Sequence, residues 1–152
     1  PSDTSRHSGF LTFEDAVGSD FGVYDGSVAS YELPNSEYSA LEFNSPSSVA
    51  SGRLVFEQPA AIYTPASITS ISISACPGSF NSDTAVGRCH YDFGNVTIFR
   101  WTTNLAENPL FYCILDPSSS YYLNIIHAPL NDLNSSSCND SGCGVLFIQT
   151  PN

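Results

Sequence analysis

The cysteines constrain this chain more than any other feature. All five, Cys76, Cys89, Cys113, Cys138 and Cys143, lie from residue 76 onward in a sequence of 152 residues. Around them apolar and polar residues alternate with period two, punctuated by Ser, Pro, Gly and Asn. That alternation is the pattern of antiparallel strands, and cysteines among such strands point to an oxidising compartment. The expected fold is therefore an all-β antiparallel sandwich, jelly-roll-like and reinforced by disulfides. The expected location is outside the cell or on its surface. A chain of this size buries roughly 70% of its unfolded surface, so the bridges would reinforce a core rather than replace one. Residues 1–8 read as a flexible tail and residues 9–152 as one sandwich domain.

The alternation predicts strands over 10–15, 28–33, 38–44, 53–57, 68–75, 96–102, 110–115, 121–127 and 145–149, with no helix. The earlier strands each have one wet face: Leu41 and Phe43 are expected inside with Tyr38 and Glu42 outside, and Ile71 and Ile73 inside with Ser70, Ser72 and Ser74 outside. The later strands are apolar on both faces. Trp101 joins Phe99 in the core. The opposite face collects Val96, Ile98, Tyr112, Ile114, Tyr122, Ile126, Leu146 and Ile148, a patch that needs a cover or a partner. Residues 16–27 and 77–95 are the candidate covers, the second being the longest irregular stretch. Loop lengths favour two bridges, Cys76–Cys89 tying the ends of that stretch and Cys138–Cys143 across a turn, with Cys113 left unpaired in a strand.

Charge narrows the partners. The formal charge is −11, and the only cations besides histidine are Arg6, Arg53, Arg88 and Arg100. Nucleic acid is disfavoured because almost nothing could replace its counterions. Anionic lipid is disfavoured in the same way, and no apolar run is long enough to insert into a membrane.

Catalytic signals are thin. His7, His90 and His127 are scattered, and no nucleophile elbow of the Gly-x-Ser-x-Gly type is present. Glu14, Asp15, Glu32, Glu42 and Glu57 could supply a glycosidase pair, but alternation places all but Asp15 on solvated strand faces. Only the single pair Cys138-x4-Cys143 has the spacing of a structural zinc site, and no histidine pair accompanies it. No cofactor is expected, although calcium could sit at the acidic turn holding Asp20 and Asp25, whose spacing departs from an EF-hand. Asn95, Asn134 and Asn139 match the glycosylation pattern. The best ligand signal is aromatic. Tyr122 and Asn124 share one face of a strand, and Tyr91 and Asp92 project from the 77–95 stretch. An aromatic plate beside an amide or carboxylate suits a sugar ring. The sequence thus predicts a non-catalytic binding module for carbohydrate. The alternative is a structural or adhesive subunit of an extracellular assembly, whose partner is another copy. A small hydrolase is the third reading.

Overall fold

A computed structural model describes residues 12–33, 37–58, 68–80, 85–135 and 143–152, of which 31–33 and 143 are described through the backbone alone. The expected tail over residues 1–8 lies outside this range. Among the described residues one helix, α1 (Phe13–Val17), precedes ten strands: β1 (Val28–Leu33), β2 (Tyr38–Asn44), β3 (Ser51–Glu57), β4 (Thr69–Ser74), β5 (Val86–Gly87), β6 (His90–Phe93), β7 (Val96–Thr102), β8 (Cys113–Ile114), β9 (Ser120–Ile126) and β10 (Cys143–Pro151).

The strands form two sheets, ordered β1-β10-β3-β7-β8-β5 and β2-β9-β4-β6. All neighbours are antiparallel except β7 and β8. Without the two-residue strands β5 and β8, this order is that of a jelly roll, in which successive strands alternate between two four-stranded sheets except at β4 and β6, which pair within one. The core between the sheets is aromatic. Phe21 stacks on Phe43 at 3.9 Å between ring centroids and meets Trp101 at 4.6 Å. Phe56, Phe99, Trp101 and Phe147 are fully buried, as are Leu41, Leu54, Ile71 and Leu123. A polar chain crosses this interior: Gln58 hydrogen-bonds the Thr69 hydroxyl, which in turn bonds His127 Nδ1.

Four expectations change. Of the strand expected over 10–15, the described residues 12–15 form a helix cap and first turn instead. Thr12 caps a helix by accepting from the Asp15 amide at 3.0 Å, and Glu14 and Asp15 lie in its first turn. Gly18 ends the helix at φ 87°. The buried pair Phe13 and Val17 has helical spacing, and acidic side chains favour a helix N-terminus.

Residues 77–95 are not one irregular stretch. They contain β5 and β6, and this overturns the pairing of Cys76 with Cys89. Cys89 sits between these two strands and bonds Cys113 across the end of the sandwich, 24 residues away. Closing a loop of that length is worth about 3.5 kcal/mol on the chain-entropy account. Cys113 is therefore bridged rather than unpaired, and Cys76 is a half-buried free thiol among the described residues. The Cys138–Cys143 pairing falls outside the described side chains.

The outer face of the four-stranded sheet is not wet. Tyr38 is 4% exposed, and Ser70, Ser72 and Ser74 are 0% exposed. Residues 75–80 and 128–133 lie over them. Phe80, Ala128, Leu130 and Leu133 pack there on Tyr38, Ala40, Ile126 and Tyr122 as a second apolar cluster.

The expected apolar patch is divided between the sheets. Tyr122 and Ile126 belong to this covered face, while Val96, Ile98, Leu146 and Ile148 lie on the outer face of the six-stranded sheet, where Val96 and Ile98 remain exposed. Residues 16–27 cover neither, since Phe21 turns into the end of the core. Among the described residues no helix is long and apolar enough to cross a membrane.

Candidate functional site

The four residues expected to face a sugar are not together. Asn124 is completely buried. Its amide donates to Ser72 Oγ at 3.0 Å, Ser74 Oγ at 2.9 Å and the Ser79 carbonyl at 3.2 Å, while its own carbonyl accepts from the Gly78 amide at 2.6 Å. The serines turn outward in the same way, Ser72 donating to the Ser79 carbonyl, Ser74 to that of Cys76 and Ser70 to that of Ala128. This layer satisfies the backbone of the covering segments, which would otherwise be buried without partners. Asp92 does similar work, accepting from the Leu130 amide at 3.2 Å. Tyr122 is half-buried beside the second apolar cluster. Burial first, then the Glu42 carboxylate opposite it and Cys76, raise its phenol above the ordinary value.

Tyr91 alternates with Asp92 and so points the other way, to a cleft of about 220 Å³ lined by Arg88, Tyr91, Ile98, Arg100 and Phe111. Three local structures build it. Gly87 adopts φ +93°, and a side chain there would meet the Tyr112 carbonyl at 2.3 Å, so only glycine lets residues 109–112 pass this close. The Arg88 amide then donates to that same carbonyl at 3.0 Å. Asn108 turns the opposite wall: its carbonyl accepts from the amides of Phe111 and Tyr112, and its side chain accepts from that of Leu110. The result leaves Phe111 59% and Leu110 74% exposed. Tyr91 forms the floor. It stacks on Phe99 at 5.3 Å and donates its hydroxyl to the Ile98 carbonyl at 2.7 Å.

Two guanidinium groups meet this floor. Arg88 lies over the Tyr91 ring at 5.0 Å, a cation–π contact. Burial pushes the Tyr91 phenol well above the ordinary value, against the opposing pull of its Thr97 hydrogen bond and of the Arg88 and Arg100 charges. No carboxylate among the described residues pairs with either arginine. The cleft therefore offers two free forks for an anion beside an exposed aromatic ring. No motif marks these residues in the sequence. The available signal was scarcity: a chain with no lysine and four arginines places two of them in one cleft.

The remaining candidates are separate. Asp20 lines a larger cleft of about 650 Å³ at the end of the sandwich, with Glu14 and Glu42 on its walls. Asp25 instead accepts from the Ser27 amide at 2.9 Å, and this bond holds its carboxyl below the ordinary value. Among the described residues no three His, Cys, Asp or Glu side chains come together in a group that could hold a metal. Asn95, in the β6–β7 turn, and Asn134 are exposed, and Asn139 lies outside the described residues. Compared with protein-family models, curated proteins and solved structures, the chain matches none.

Proposed function

We propose that this chain is a non-catalytic extracellular binding module whose Arg88–Arg100 cleft takes an acidic carbohydrate, a sugar ring bearing a carboxylate or sulfate. The observation that carries the reading is a pair of arginines with no carboxylate partner among the described residues, in a chain of charge −11. A guanidinium fork matches a carboxylate or sulfate in shape as well as charge. Exposed Phe111 gives the C–H face of a sugar ring a surface to stack on. The acidic remainder of the molecule repels a long polyanion, so the fitting ligand carries one or two anionic groups. The Cys89–Cys113 bridge supports the extracellular setting, because such bonds persist where the environment is oxidising.

Calorimetric titration with a sulfated disaccharide, a uronic-acid disaccharide and their neutral counterpart tests the reading. An acidic sugar is expected to bind and the neutral one not. Arg100→Gln is expected to weaken binding by about tenfold or more, since a charge-assisted bond is lost. The melting temperature should stay put, because Arg100 is exposed. Equal binding of charged and neutral sugars, or no binding of either charged one, overturns the proposal.

A further inference from the structure

The outer face of the six-stranded sheet carries a row that the register makes continuous. Val28 pairs with Ile148, Ile148 with Val55, and Val55 with Ile98. Four branched apolar side chains thus stand side by side across β1, β10, β3 and β7. Val28 is 53% and Ile98 45% exposed. One flanking row is Ser30, Leu146, Glu57 and Val96, and the other contains Thr150, Arg53 and Arg100. Two of the chain's four arginines therefore lie on one side of the apolar row, and Glu57 lies on the other.

We infer that this face docks on the same face of a second copy, about a two-fold axis that runs along the Val28–Ile98 row. Arg53 and Glu57 are each two residues from Val55 on β3, in opposite directions, so each is about 7 Å from the axis. Rotation about that axis lays the row on itself. It also sets Arg53 against Glu57 of the partner subunit, twice, and lays the Arg100 stem along Val96 of the partner subunit. Sheets that pack face to face keep their strands within about 30° of one another, and this arrangement satisfies that. An acidic partner of another kind would meet the two arginines but would be repelled by Glu57, which is why the charge pattern favours a second copy. The interface is self-complementary, as a two-fold interface must be. It spans four strands, about 15 Å, and predicts a weak, reversible dimer rather than an obligate one. The inference does not rest on the sugar reading, but the two surfaces adjoin: Ile98 and Arg100 line the cleft as well as these rows, while Arg88 and Phe111 lie outside the rows.

Sedimentation equilibrium of the full chain from micromolar to submillimolar concentration is the test. The native chain is expected to show a monomer–dimer equilibrium. Arg53→Glu and Glu57→Arg are each expected to weaken it by about tenfold or more, because like charges are then juxtaposed twice. The double swap should restore it. Arg53 Nε also donates to the Pro151 carbonyl at 3.2 Å, so its replacement could disturb folding. Ile98→Lys, at an exposed position, provides the second variant and should abolish the dimer with an unchanged circular-dichroism spectrum. A monomer at every concentration, a double swap weaker than either single change, or a dimer untouched by Ile98→Lys overturns the inference.

Discussion

The outer faces of the two sheets invert what their residues suggest. β4 presents Ser70, Ser72 and Ser74 outward, beside Asn124 of β9, and all four are fully buried. The six-stranded sheet presents Val28, Ile148, Val55 and Ile98 outward, and the two ends of that row are about half exposed. The difference lies in what the loops need. A segment crossing a sheet face brings unpaired backbone groups with it, and only a polar face can satisfy them. Serines and an asparagine are therefore the right floor beneath residues 75–80. An apolar row offers such a segment nothing, so it stays bare or meets another apolar surface.

The largest effect that could break this comparison is a paired truncation. Ile126 is 2% exposed under the second cluster, and Ile98 is 45% exposed on the bare face. Ile126→Ala is expected to cost about 3 kcal/mol through lost burial and a cavity. Ile98→Ala should cost less than about 1 kcal/mol, as partly exposed positions do. Urea unfolding of both variants at low concentration measures the difference. Equal costs would mean that the two faces are covered alike.

A smaller effect probes the polar layer. Asn124→Ala removes a side chain that serves two serines, one carbonyl and one amide. The expected loss is about 2 kcal/mol, since buried groups are left unsatisfied. Amide exchange at Gly78 should quicken at the same time, because its acceptor is gone. An unchanged exchange rate would show that the covering segment is held by Phe80 alone.

The legible parts of the fold were those that alternation controls. β2 and β7 have the expected bounds: both are short β-prone runs, and in each the large core residues (Leu41 and Phe43, Phe99 and Trp101) recur two apart. At α1 two periods competed: Leu11 and Phe13 fit a strand, while Phe13 and Val17 fit a helix, and the Thr12 cap with Gly18 decided for the helix. The Cys89–Cys113 bridge was illegible because it depends on β5 pairing with β8, which sets Gly87 opposite Cys113, a pairing that no local pattern encodes. The cleft was hidden for the same reason. Arg88, Arg100 and Phe111 converge only once β5 pairs with β8 and β8 with β7. The serine stripe was legible as a face but not as a buried one, since a polar row looks the same under water and under a loop.

The smallest expected effect is a titration that contrasts one phenol on each side of β6 and β9. Tyr91 and Tyr122 are both raised above the ordinary value, chiefly by burial. Their charged neighbours act in opposite directions. Arg88 and Arg100 pull Tyr91 down, whereas Glu42 pushes Tyr122 further up. In the unfolded chain both titrate near about pH 10. Below that pH both states hold the proton, and the full contribution to stability is present. Above it the unfolded state loses its proton first, so stability falls as pH rises towards the folded values. Alkaline phenolate absorbance of the native chain should therefore show fewer than its eight tyrosines ionising at the pH where the urea-unfolded chain ionises them all. Glu42→Gln should bring the Tyr122 midpoint down and leave Tyr91 in place, while Arg88→Gln should move Tyr91 up and leave Tyr122 in place. Eight phenols titrating together in the native state would remove the buried setting of both rings. A response of Tyr91 to Glu42→Gln would mean that the two sides of the four-stranded sheet are not electrostatically separate.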